Sequence, residues 1–404
     1  MEEVFIVSGV RTPIAAFRGS FASLTSVDLG VIAGKEALKA SRFVSFHTPS
    51  VSIFRSSRSL AQSCRGDDHG LRSDGRPGAE CEPPDRAENR NSGRSRGVYR
   101  EQSVRLIAEG PHPRLPSDQD GLSERPAGRR DGVDDQRPVL PAARGDHGYG
   151  ELKLTDAIQR DGITDATLND AMGLCAEKSA KDYGCSRADQ DAFAVESYAR
   201  AAESWKTGAF EDEVKCPNGE EIRWSSKEDE EYKRLIKEKV PTLPAAFLKD
   251  GTGTITAANA SSLNDGAASL VVVSESFLKA EGLKPLAKVV GYAEAGRAPV
   301  DFTVAPINAV EILLQKSGLD KKEIARWEVN EAFSVTALAF IKHFGLDPKI
   351  VNSRGGAVAL GHPIGMSGAR IVVTLAHQLT AGQMGIAAIC NGGGNASAVL
   401  IQRV

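Results

Sequence analysis

Between Arg42 and His147 the chain has no lysine, although the same 106 residues carry 18 arginines. Elsewhere the two cations are freely mixed. Long apolar periodicity is missing from this stretch, so it shows no pattern for a buried helix or strand. Aspartate and glutamate are interleaved with the arginines, which argues against a nucleic-acid-binding arm. Over the whole chain no CxxC pair occurs; Cys64, Cys81, Cys175, Cys185, Cys216 and Cys390 are scattered. That excludes a disulfide framework and a cysteine-based zinc site, and it suits a reducing compartment. No apolar run has transmembrane length, so no membrane partner is expected. A net charge of −3 gives no electrostatic reason for a polyanion partner. The opening MEEVFIVSGVRTPI enters an apolar strand pattern with no signal or transit segment ahead of it, and the final Ile-Gln-Arg-Val is no peroxisomal signal. A cytoplasmic location is the expectation.

Outside the lysine-free stretch, strand and helix signals alternate. Val4–Val7 reads as a strand and Ser26–Lys39 as a helix. Helices are expected over 152–159, 168–183 and 186–207, the last with Ser186 as N-cap ahead of Asp189. Residues 220–239 are highly charged and read as a solvated excursion. Ala267–Val273 and Lys288–Tyr292 read as strands, Pro306–Ser317 as a helix, Arg326–Asn330 as a strand and Glu331–Phe344 as a helix. A helix over Ser367–Leu379, a strand from Ile386 and a last strand over Ala396–Gln402 complete the chain. Such alternation predicts an α/β fold of layered sheets, and the strand–loop–helix opening returns loosely after Lys288.

Two glycine-rich loops stand out. One is NSRGGAVALGHPIGMSG, Asn352–Gly368, which holds His362. The other is Cys390-Asn391-Gly392-Gly393-Gly394, which follows the apolar run Met384–Ile389. Dense glycine permits left-handed backbone and close approach of a ligand. A histidine and a thiol presented this way suit acid–base or nucleophilic chemistry.

The strings VSGVRTPI, ANASSLNDGA, NEAF, GGAVALGHPIG and CNGGG, in this order, resemble the thiolase family, and within it the acetyl-CoA acetyltransferases. The resemblance covers residues 1–41 and 148–404. It implies a thiolase fold of two similar halves in an αβαβα arrangement. Residues 1–41 and 251–280 would belong to the first half, 148–250 to a loop excursion that binds coenzyme A, and 281–404 to the second half. It implies a reversible Claisen condensation of two acetyl-CoA to acetoacetyl-CoA and free CoA, with no tightly bound cofactor. By motif match His362 is the base that activates the nucleophile, and Cys390 moves the proton of the acetyl methyl. Asn330 builds one oxyanion hole with His362, and Gly392 supplies a backbone N–H to the other. Tyr198, Arg234, Lys239 and Ser261 are the coenzyme A candidates. Ala257, Ala258, Ala260 and Val358 match a potassium site of some members. Thiolases are commonly dimers or tetramers, so a homo-oligomer, and a homotetramer in particular, is expected. Two rival readings remain: a degradative 3-ketoacyl-CoA thiolase, and a non-catalytic acyl-CoA-binding protein on the same fold.

One expected element is missing. The family's nucleophilic cysteine lies in a string like VNKVCASGMKA, followed by GGMESM, and neither occurs here. Both belong in the lysine-free segment. Asp131-Gly132-Val133-Asp134 can be encoded GAT GGA GTC GAT, which one nucleotide out of frame reads Met-Glu-Ser-Met. The same shift over Tyr99–Pro111 permits TVNKVCASSLKA, with the cysteine codon straddling Val104 and Arg105. Residues 42–147 therefore read as a segment translated out of frame, and the printed chain lacks the acyl-accepting thiol.

Overall fold

The computed structural model describes residues 2–42, 154–216 and 227–404, with the backbone of two short strands at 52–55 and 139–141. The rest of the lysine-free segment, including Cys64, Cys81, Val104 and Arg105, lies outside the described residues. In chain order the strands are β1 (Val4–Arg11), β2 (Ala15–Ala16), β3 (Ser52–Arg55), β4 (Val139–Pro141), β5 (Leu154–Asp156) and β6 (Asn264–Asp265), then β7 (Ala268–Ser274), β8 (Ala287–Gly296), β9 (Ile324–Val329), β10 (Met384–Asn391) and β11 (Asn395–Arg403). Seven of them form one sheet in the order β3-β7-β1-β8-β11-β10-β9. Among the described residues, the first-half strands join the second-half strands where Val4–Ile6 pairs antiparallel with Ala287–Val289.

The period-two alternation of each strand explains the layers. On β7, Leu270 and Val272 pack toward the helix Ser367–Gln378, while Val271 and Val273 pack with Ala37 of the helix Ser26–Ser41. On β10, Ala387 and Ile389 join the same core as the helix Ser367–Gln378. Their neighbours Ile386 and Ala388 face the helices Ala305–Ser317 and Ser334–Phe344. One helix is thus sandwiched between two limbs of the sheet, each covered outside by further helices. This is the layered α/β arrangement expected. The central helix lies close on β1: a Cβ at Gly9 would stand 3.1 Å from Val373 Cγ2, and His377 Nε2 is 2.8 Å from the Gly9 carbonyl. Fully buried Ile371, Val373 and Leu375 each contribute roughly 1.5–3 kcal/mol of apolar burial.

Several local expectations need correction. The helix expected over 152–159 is not found in its described part: β5 occupies Leu154–Asp156 and a single wide turn follows at Ile158–Gly162. The next helix starts at Met172, not at 168, because Asp165 accepts bonds from the amides of Thr167 and Leu168 and holds a turn there. Glu331–Phe333 stay out of the helix, which begins at Ser334. The charged excursion is not simply solvated. Arg11, fully buried on β1, donates from Nε to Glu213 at 2.7 Å and from both terminal nitrogens to Asp229 at 2.8 and 3.0 Å. Buried charges persist only when paired in this way, so this triad draws the excursion onto the first half. Ser186 does cap Arg187–Lys206, in a capping box with Asp189.

Candidate active site

His362 follows the short helix Ala357–Leu360. Gly361 has φ of 103°, and a Cβ there would meet the Asn264 side chain at 2.5 Å, so only glycine permits this approach. Asn264 Oδ1 accepts from the His362 amide at 3.0 Å, and its Nδ2 donates to the Ala15 carbonyl at 3.1 Å. The histidine loop is therefore fastened to the first half. His362 Nδ1 is 2.5 Å from Ser367 Oγ. Burial, and secondly the positive charge of Arg370, push the imidazole pKa down to about 4. The ring is neutral at pH 7, the form that accepts a proton.

Asn330 ends the β9 segment, and its amide donates to Ala388 on β10 at 3.0 Å. Its carboxamide is buried, and neither Nδ2 nor Oδ1 has a hydrogen-bond partner among the described residues. An unpaired buried amide is costly and marks a place reserved for a ligand or water. Next to it, Glu331 is fully buried. It accepts from Ser197 Oγ and Asn352 Nδ2 at 2.8 Å each and from the Val358 amide at 3.1 Å. A Cβ at Gly356 would lie 2.1 Å from the Glu331 carboxyl carbon. Glu331 thus clamps the asparagine segment to the residues just ahead of His362. Burial raises its pKa.

Cys390 lies at the end of β10 in a core with Ala332, Phe333, Cys175 and Ile255, against half-buried Met172, Phe247 and Ala260. These neighbours are apolar, and Met172, Phe247 and Phe333 are bulky. Gly392 packs on the Met172 methyl. The turn is held from below by Asp165, whose Oδ2 accepts from the Gly393 amide at 3.2 Å.

The structure thus ties His362, Asn330, Cys390 and Gly392 into one region through Glu331, the Asn330–Ala388 bond and the Phe333 core. Ser261 joins them: its amide and hydroxyl both donate to the Ala332 carbonyl, at 3.0 and 2.9 Å. Tyr198 packs in the same core as Val358, and burial raises its phenol pKa. Arg234 and Lys239 are exposed; Arg234 pairs with Glu231 at 3.2 Å, and among the described residues no hydrogen bond or ion pair ties either cation to His362 or Asn330. Val358 and Ala258 are buried and Ala257 is exposed. The motifs did not point to Asn264, Glu331, Ser367, Asp165 or Arg370. Ser367 and Arg370 lie five and eight residues after His362 and Asn264 and Glu331 lie inside a matching string, whereas Asp165 is near no motif and left no signal.

A neutral histidine, a thiol among apolar side chains and an unpaired amide are parts suited to acid–base chemistry. The comparisons with known proteins bear on the family. The model for the thiolase C-terminal domain matches residues 283–403, and that for the N-terminal domain residues 135–276. The chain is 40% identical over 412 residues to the mitochondrial acetyl-CoA acetyltransferases of Macaca fascicularis and Mus musculus, covering all of this chain and 91% and 92% of theirs. A crystal structure of a thiolase from Ascaris suum in complex with coenzyme A superposes with TM-score 0.76 at 39% identity, covering all of both chains. Human mitochondrial 3-ketoacyl-CoA thiolase, at 24% identity and TM-score 0.76 over 100% of this chain and 99% of its own, shares the fold. The relatives named here as acetyltransferases are mitochondrial, which overturns the cytoplasmic location expected from the chain's opening and its scattered thiols. Reduced cysteines suit any reducing compartment and never distinguished between them. The fold, the two matched domains and the full-length identity establish that the chain belongs to the thiolase family.

Proposed function

We propose that this chain carries the acid–base half of an acetyl-CoA C-acetyltransferase, which joins two acetyl-CoA into acetoacetyl-CoA and CoA. The observation that carries the reading is the buried, unpartnered carboxamide of Asn330, set one residue from the carboxylate that clamps the His362 loop. Cys390 removes a proton from the acetyl methyl of one thioester. The enolate oxygen that develops is met by Asn330, through a water, and by His362. Gly392 offers its backbone N–H to the second oxyanion. The first acetyl group needs a thiol nucleophile, which His362 would ionise, and the printed sequence contains none in the family's context. We assign that thiol to the out-of-frame segment.

Coenzyme A would lie along the excursion. Arg234 and Lys239 supply exposed cations for its phosphates, and the weak surface pairing of Arg234 is easily exchanged for one. Ser261 and Tyr198 would flank the pantetheine arm. The carbonyls of Ala257, Ala258 and Ala260 accept no hydrogen bond from the described residues. With Val358 they would suit a potassium ion, a hard cation that takes oxygen ligands. Assembly as a homo-oligomer, a tetramer in particular, belongs to the same proposal. The bulky Phe247, Phe333 and Met172 packed around Cys390 favour the short-chain reaction over a long-chain 3-ketoacyl-CoA thiolase.

Incubation with labelled acetyl-CoA tests the reading. A chain with the restored frame is expected to form an acetyl-thioester and release CoA, and the printed chain to bind CoA without covalent label. A restored chain that binds but never becomes acetylated would make this an acyl-CoA-binding protein instead. Sequencing the transcript across codons 40–150 tests the frame. An uninterrupted printed frame, with its peptides seen by mass spectrometry, would remove the frame assignment.

A further inference from the structure

We propose that Ser367 is the positioning residue that fixes His362 in its Nδ1-protonated tautomer and leaves Nε2 as the bare, proton-accepting nitrogen. The inference rests on the reading of His362 as a base and adds which nitrogen does the work and what selects it.

The argument is a count of protons. A serine hydroxyl has one hydrogen to donate. Ser367 Oγ lies 3.0 Å from the Pro363 carbonyl, which can only accept. The hydroxyl proton belongs on that line, the return bond of a serine to the carbonyl four residues back, shared there with the amides of Met366 and Ser367. The same Oγ stands 2.5 Å from His362 Nδ1, and with its proton committed it can only accept there. Both contacts are satisfied together only if Nδ1 carries the hydrogen. The hydrogen bond made by one ring nitrogen then decides the state of the other, so Nε2 keeps its lone pair.

The surroundings leave the pair little freedom. Ser367 is the first residue of the central helix, and its own amide, with that of Met366, donates to the Pro363 carbonyl at 3.1 and 2.9 Å. The backbone of His362 is held by Asn264 at 3.0 Å. Ring and hydroxyl are thus anchored on the two sides of one turn. Arg370, one turn along the same helix, opposes the doubly protonated ring. With the imidazolium disfavoured, the tautomer is the property that remains to be set.

The test is a long-range proton–nitrogen NMR spectrum of the full printed chain, labelled at histidine, at pH 7, with His362→Asn to assign the signals. It needs no catalytic turnover, so it can fail independently of the acetyltransferase reading. His362 is expected to show the Nδ1–H pattern in the unaltered protein and to keep it in Ser367→Thr. In Ser367→Ala the Nδ1–H fraction should fall from nearly all to below half. An unaltered His362 with its hydrogen on Nε2 overturns the proposal, whatever the variants do. So does a folded Ser367→Ala that keeps the Nδ1–H pattern in full. Should Ser367→Ala fail to fold, the unaltered spectrum together with Ser367→Thr still decides.

Discussion

Replacing Asn330 with alanine should damage the chemistry and leave the fold intact or stronger. Both polar atoms of the carboxamide are buried without a partner among the described residues, and a buried group left unpaired costs roughly 1–3 kcal/mol. Alanine removes that cost twice. Against this stand the lost dispersion contacts and a small void, together on the order of 1–3 kcal/mol for a side chain of this size. The balance runs from about 1 kcal/mol lost to about 5 kcal/mol of added stability. Urea unfolding measures it as a midpoint that falls slightly at most, or rises, at constant slope. The functional readout is deuterium uptake by the acetyl methyl of acetyl-CoA in heavy water. It should fall by about a hundredfold or more, the usual loss when one oxyanion donor is removed. A drop in stability above roughly 1 kcal/mol would show that the carboxamide is satisfied within the fold, and the reasoning fails. Unchanged exchange would refute its assignment to the enolate oxygen.

The remaining predictions concern the supports. Arg11→Leu strips Glu213 and Asp229 of their buried partner and should cost about 3–5 kcal/mol in urea unfolding; a loss below 1 kcal/mol would mean the excursion is not held by this triad. Asp165→Ala frees the Gly393 amide and the Thr167–Leu168 turn. It should raise amide hydrogen exchange across both segments, whereas Asp165→Asn, which keeps one acceptor oxygen, should raise it less. His362 also makes a pH prediction. Its folded pKa of about 4 lies below the ordinary 6.5, so the unfolded chain takes up the proton first as pH falls. The corresponding stability is fully present above 6.5 and is lost on the way down to 4, roughly 3 kcal/mol in all. Glu328, pushed up to about 7 chiefly by burial, acts with the opposite sign. The measurement is therefore the difference between the unaltered protein and His362→Asn, which cancels the Glu328 contribution; no difference in pH dependence would refute the shift.

What the sequence made legible and what it concealed divide along a physical line. The layers could be read because period-two strands such as β7 and the 3.6-period helix Ser367–Gln378 must each bury a definite face. The glycine loops could be read because few contexts tolerate so many residues without a Cβ. Glu331 was misplaced in a helix because Glu-Ala-Phe-Ser has fair helical propensity. Only the tertiary donors from Ser197, Asn352 and Val358 hold it extended and buried. Asp229 was taken for a solvated charge because sequence does not show that Arg11, 218 residues earlier, arrives beside it.

The same line runs through the site itself. His362 and Cys390 sit on glycine-rich loops that stand out in the sequence, whereas the bonds that hold those loops run across the chain and do not. His362 depends on Asn264, 98 residues away, and on Glu331 through Val358. The Cys390 turn depends on Asp165, 228 residues from Gly393. Among the described residues, every support named here comes from outside the lysine-free segment. Restoring the reading frame should add acetyl transfer without changing how His362, Asn330 and Cys390 are held.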